Sequence, residues 1–118
     1  MGQLSTHVLD TMNGCPAAGM EVKLQRIEDD RSVTLKTFTL DADGRNGAGA
    51  LLDDQSMAKG CYRLVFSVAS YFRARGVDLP EPAFLDQVPV DFGIADAAGR
   101  YHVPLLVSPW AYSTYRGS

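Results

Sequence analysis

Residues 20–27 read "MEVKLQRI", and the order of apolar and polar side chains in them decides between helix and strand. Met20, Val22 and Leu24 fall on one side of a chain that alternates, with Glu21, Lys23 and Gln25 on the other. A helix would instead group its apolar residues three and four apart. This is the pattern of a strand with one face in a core and one in water. The period continues outward in both directions. "STHVLDT" sets Thr6 and Val8 against His7 and Leu9, and "SVTLKTFTL" sets Val33, Leu35 and Thr37 against Thr34, Lys36 and Phe38. "CYRLVFSVA" sets Tyr62, Leu64, Phe66 and Val68 against Cys61, Arg63, Val65 and Ser67, and "FLDQVPVDF", "YHVPLLVS" and "WAYSTYR" follow.

Turn-forming segments separate these runs: "NGCPAAG", "EDDRS", "DADGRNGAG", "VDLPEPA" and "ADAAGR". Many short strands at close spacing predict an all-β sandwich. Only "ASYFRARG" has a helical pattern, one or two turns stopped by Gly76. Pro89 and Pro104 fall inside strand patterns, and proline cannot donate to a ladder, so both are expected at edges or bulges.

A chain of 118 residues fits one domain, residues 1–118, with a core of its own. Its apolar fraction of 46% and charged fraction of 21% are ordinary for a globular protein. The net charge of −3, with scattered basic residues, excludes a nucleic-acid partner of the usual kind. No apolar stretch approaches the ~18 residues that cross a bilayer, so no membrane partner is expected. The amino end has neither a basic n-region nor an apolar h-region. The expected location is the cytoplasm, or the periplasm if a leader has been removed. Cys15 and Cys61 form no CxxC pair and are expected to be reduced packing residues.

Two apparent motifs fail on inspection. Read as a calcium loop, "DADGRNGAG" with Gly44 at the sixth position puts Ala50 where the bidentate Glu belongs. Read as a nucleotide loop, it lacks both the third glycine and the P-loop lysine. It is a glycine-rich turn in which Arg45 has no structural explanation. No G-x-S-x-G elbow occurs, and a metal hydrolase would need a third ligand near the two histidines, for which Asp10 could serve, but no HxH or HExxH accompanies it. Asp29/Asp30 and Asp53/Asp54 fall in solvated turns.

The polar residues that remain are the two histidines, His7 and His102, Arg45, and the closing "YRGS" of Tyr115, Arg116, Gly117 and Ser118. A strand histidine taken singly is more often structural, and spacing does not by itself bring these groups together. If they meet, imidazoles that titrate near neutrality can transfer protons, and Arg45 or Arg116 can hold a planar anion with two prongs.

"LSTHVLDTMNGCPAAGMEVKL", "DADGR", "FLDQVPVDFGIAD" and "YHVPLLVSPWAYSTYRGS" together resemble the 5-hydroxyisourate hydrolases, the transthyretin-related enzymes of urate (purine) catabolism. The resemblance covers essentially the whole chain, and YRGS is its most specific element. It implies a transthyretin-like sandwich of two four-stranded antiparallel sheets with one short helix, assembled as a homotetramer with active sites between dimers. It implies hydrolysis of 5-hydroxyisourate to 2-oxo-4-hydroxy-4-carboxy-5-ureidoimidazoline, by lactam opening with neither cofactor nor metal. His102 is then expected as the base on water, Arg45 as substrate clamp and charge stabiliser, and His7 as substrate positioner or proton donor. The same resemblance makes Tyr115, Arg116 and Gly117 substrate-binding and gives Ser118 a role in orienting water or an imidazole. The rival readings are a transthyretin-like carrier of a small aromatic ligand without turnover, and an immunoglobulin-like adhesion module.

Overall fold

A computed structural model describes residues 2–117. Its elements run β1 (Gln3–Asp10), β2 (Cys15–Pro16), β3 (Glu21–Glu28), β4 (Arg31–Thr39), β5 (Gly60–Ser67), α1 (Val68–Ala74), β6 (Gln87–Ile94), β7 (Arg100–Val107) and β8 (Tyr112–Thr114). They build two four-stranded sheets, ordered β2-β1-β7-β8 and β4-β3-β5-β6. Between the sheets lie the residues that alternation turns inward. Leu4, Val8, Val103 and Leu105 come from the first sheet, and Val22, Leu24, Tyr62, Leu64 and Phe66 from the second. Each large apolar side chain so buried contributes about 1.5–3 kcal/mol. The stretch at residues 20–27 is thus the half-buried strand that its pattern predicts, with Met20, Val22 and Leu24 fully enclosed.

The sheets are not wholly antiparallel. β1 and β7 pair in parallel from Gln3↔Arg100 to Asp10↔Val107, while every other pairing is antiparallel. Parallel neighbours need a long crossover, and here the crossover is the whole of the second sheet and α1. Strict alternation also breaks in β4. Leu24 pairs with Lys36 but Gln25 with Thr34, which leaves Leu35 as a bulge residue and puts Val33 on the same side as Lys36. β4 is an edge strand, and both Val33 and Leu35 remain exposed.

Pro89 lies on the edge strand β6 as expected, but Pro104 lies in the interior strand β7. The fold tolerates it because β8 stops at Leu105↔Thr114, one residue short of the proline. A residue's N–H and C=O point to the same side of a strand, and the Pro104 carbonyl accepts a hydrogen bond from Thr114 Oγ1 at 2.7 Å. The missing N–H therefore faces the end of β8, where no ladder bond is lost. Cys61 also departs from expectation: it is exposed on β5, and Cys15 is half-buried, both as free thiols.

The helix forms where its pattern predicts, burying Val68, Ala69, Tyr71 and Phe72. Its end is closed by Gly76 N–H to Arg73 O and Val77 N–H to Phe72 O, both 3.0 Å, the paired bonds of a Schellman motif. Tyr71 carries the helix to a buried carboxylate. Its hydroxyl donates to Asp10 Oδ2 at 2.8 Å, Asn13 Nδ2 donates to the same oxygen at 2.7 Å, and the N–H groups of Met12 and Asn13 reach Oδ1. Burial pushes the Asp10 carboxyl up, but the bonds from Asn13, Tyr71 and Met12 outweigh it and hold it below the usual carboxylate range. A depressed carboxylate stabilises the fold above its unfolded value of about 3.9, and that contribution is lost as pH falls through the lower folded value. Asp10→Ala strands the Tyr71 hydroxyl and is expected to cost about 3 kcal/mol. Urea denaturation at fixed protein concentration checks this, and an unchanged midpoint would show the cluster to be dispensable.

Candidate active site

The outer face of the first sheet gathers the polar residues. On β1, Leu4, Thr6 and Val8 turn fully inward, so Ser5 and His7 turn outward. On β7, Tyr101, Val103 and Leu105 face the core, and His102 is left on the outer face, half-buried. The parallel register sets Ser5 beside His102 and His7 beside Pro104, so the two histidines are diagonal neighbours on one surface. Ser5 Oγ lies 2.8 Å from His102 Nδ1.

Arg45 reaches this face because its loop runs along the free edge of β1. β2 pairs only with Leu9 and Asp10, which leaves the upstream edge open. The loop closes it through Val8 N–H to Gly44 O at 2.8 Å, Thr6 N–H to Asn46 Oδ1 at 3.0 Å and Leu4 N–H to Leu52 O at 3.0 Å. Arg45 stands opposite His7 in an isolated antiparallel bridge, and partners in a bridge share a face. Gly44 permits the approach. Its φ is +74°, and a Cβ there would come within 2.5 Å of the Val8 carbonyl oxygen. Asp41 holds the turn, since its Oδ1 accepts the N–H groups of Arg45 at 3.0 Å and Asp43 at 2.9 Å. The Arg45 N–H above all keeps the Asp41 carboxyl below the usual range.

The chain beyond β8 keeps its register along β7 past the proline, so that Gly117 bridges His102 and donates its N–H to the His102 carbonyl at 2.8 Å. The same register sets Tyr115 opposite Pro104, and its side chain is 60% exposed. Arg116 turns away from the histidine face. Its guanidinium lies 4.3 Å from the centre of the Tyr101 ring and donates to the Arg100 carbonyl at 3.1 Å. The structure therefore brings His7, Arg45, His102 and the Gly117 backbone together and takes the Arg116 side chain to the opposite face. Ser118 lies outside the described residues. A groove between β6 and β8, lined by Val90, Phe92, Tyr101, Val103, Tyr115 and Arg116, opens on the far side of the sheet and includes neither histidine nor Arg45.

His102 is held below the ordinary histidine range, first by its burial and then by the charge of Arg45 and by His7. The depression favours its neutral form, the form that can accept a proton. Among the described residues, no three His, Cys, Asp or Glu side chains gather as a metal site requires. What the cluster offers is a half-buried imidazole, a second imidazole and a cation carried on a backbone held beside them, around an open surface. That set suits proton transfer at a group that develops negative charge.

Sequence reasoning missed Ser5, Asp41 and Asn46. Alternation places Ser5 on the face of His7, but nothing local links it to a histidine 97 residues away.

Comparison with known proteins agrees with the geometry. The 5-hydroxyisourate hydrolase of Pseudomonas aeruginosa is 52% identical over 118 residues, spanning all of this chain and 93% of that protein. Among solved structures, an (S)-allantoin synthase superposes with a TM-score of 0.92 at 42% identity over 99% of this chain, which spans 44% of that longer one. Sea bream transthyretin bound to thyroxine superposes with a TM-score of 0.83 at 27% identity, over 98% of this chain and 94% of that one. Residues 4–117 match the pattern of the HIUase/Transthyretin family. The chain, with its two-sheet sandwich and the polar face between β1 and β7, belongs to the HIUase/Transthyretin family.

Proposed function

We propose that the protein hydrolyses 5-hydroxyisourate, opening its lactam ring. The observation that carries this reading is the meeting of His7, Arg45 and His102 on one face, where burial and Arg45 favour the neutral form of His102. Relatives half identical over the full length bear the hydrolase name, which supports the same substrate.

In this reading His102 takes a proton from water as the water oxygen bonds to the lactam carbonyl carbon. Arg45 stabilises the negative charge that grows on the carbonyl oxygen. When the tetrahedral centre collapses, the carbon–nitrogen bond breaks, and the leaving nitrogen takes a proton from His7. The carboxylic acid so formed loses its proton to solvent, and passage of the proton held on His102 to His7, directly or through water, restores both histidines, so the elements of water are accounted for. Tyr115 flanks the planar substrate, and Ser118 would help to orient the water. The face is open in a single copy, since both His7 and His102 remain partly exposed on the outer side of the first sheet. A homotetramer would supply the missing walls. The carrier reading gains nothing from two imidazoles and a guanidinium gathered on one face.

The test generates 5-hydroxyisourate from urate with urate oxidase and follows its ultraviolet decay with and without the protein. Marked acceleration is expected. A folded, assembled protein that leaves the decay unchanged would sink the hydrolase in favour of the carrier.

A further inference from the structure

We infer that Ser5 and Gly117 are positioning residues for His102, holding its ring from two sides so that Nε2 is the nitrogen left free to meet the attacking water. The inference deepens the hydrolase reading and rests on it for the identity of the reaction. Its geometry is independent of substrate.

The two ring atoms bonded to Cγ are both engaged. Nδ1 lies 2.8 Å from Ser5 Oγ. On the other flank the Gly117 backbone crosses the ring so closely that a Cβ there would stand 2.6 Å from His102 Cδ2 and 3.2 Å from Cγ. Gly117 also donates its N–H to the His102 carbonyl at 2.8 Å, so the tail is pinned to the residue whose ring it touches. A half-turn of the imidazole would exchange Nδ1 and Cδ2. It would break the bond to Ser5 and point a polar nitrogen at the tail's Cα instead. The ring is therefore held in one orientation.

The Ser5 hydroxyl also selects the tautomer. A base acting through Nε2 carries its proton on Nδ1, and Nδ1–H then donates to Ser5 Oγ. Once Nε2 has taken the proton from water, Nδ1–H still donates to the same oxygen. The bond survives both states of the catalytic cycle. With the hydroxyl donating instead, the ring proton would sit on Nε2 and no lone pair would face the water.

Both contacts come from parts of the fold that sequence distance separates. Ser5 is delivered by the parallel register of β1 and β7, and Gly117 by the continuation of β8 beyond Pro104. A glycine serves at 117 for want of space, since any side chain would meet the imidazole.

The experiment uses the full chain and three variants: Ser5→Ala, Ser5→Thr and Gly117→Ala. Long-range proton–nitrogen NMR of His102 at neutral pH, without substrate, reads the tautomer, and steady-state assays on 5-hydroxyisourate read kcat and KM separately. The wild type is expected as the Nδ1–H form. Ser5→Ala is expected to admit the Nε2–H form and to lower kcat by about 10–100-fold with KM little changed, the usual cost of losing a partner that orients a histidine. Ser5→Thr, which keeps the hydroxyl, is expected to restore both. Gly117→Ala is expected to lower kcat in the same range by displacing the ring or the tail. An unchanged tautomer and kcat in Ser5→Ala would overturn the inference. So would a rise in KM alone, because that would make Ser5 a substrate contact. A wild type without turnover would sink only the hydrolase reading, since the tautomer is read with no substrate present.

Discussion

His102→Ala is expected to lower kcat/KM for 5-hydroxyisourate by about 10²–10⁴-fold, the range for losing a general base. The side chain is on the outer face of β7 and only half-buried, with the core packed by its neighbours Tyr101 and Val103. The fold should therefore survive, and an unaltered far-UV circular dichroism spectrum beside lost turnover would establish the role. A folded variant with near-normal turnover would remove His102 from the mechanism. The pH profile gives a second reading. In the wild type, burial first, then Arg45 and His7, depress the imidazole below its unfolded value of about 6.5. A depressed base stays unprotonated to lower pH, so the acid limb of kcat/KM is expected below pH 6.5. The same sign applies to stability. The unfolded chain binds the proton more readily, so the His102 contribution turns unfavourable as pH falls below about 6.5.

Arg45→Met is expected to cost about 10²–10³-fold in kcat, the usual loss when one preorganised donor to a developing oxyanion is removed. The substitution keeps much of the stem and leaves the backbone bridge to His7 in place. It also removes the guanidinium charge that disfavours protonation of His102, while burial, the largest cause, remains. The acid limb should consequently move to higher pH without reaching that of a free imidazole. Lost kcat with an unmoved acid limb would keep Arg45 at the substrate but separate it electrostatically from His102. Unchanged kcat would leave Arg45 with no part in the chemistry.

Much of the protein was legible from residues alone. Period-two alternation identified the strands and the inward set Met20, Val22, Leu24, Tyr62, Leu64 and Phe66, because a strand's side chains must choose between core and water residue by residue. The helix at "ASYFRARG" announced itself by its change of period and its glycine stop. The triad His7, Arg45 and His102 stood out through motifs that resemble a known family.

Partners and directions belonged to the tertiary structure. Alternation says which way a side chain points but not which strand lies beside it, nor in which sense it runs. The parallel register of β1 and β7 pairs Ser5 with His102, and no local signal carries that. The same limit hid the bulge at Leu35, where one unpaired residue reverses the two faces of β4. It hid the tolerance of Pro104, which depends on where a neighbouring strand ends. It also hid the opposite fates of Tyr115 and Arg116. They are adjacent in sequence, but the tail keeps step with β7, so Tyr115 is left exposed while Arg116 lies over the Tyr101 ring. Each strand's sequence settles its own inside and outside, a local free-energy choice. A site built across strands depends on long-range pairing, which only the packed sandwich decides.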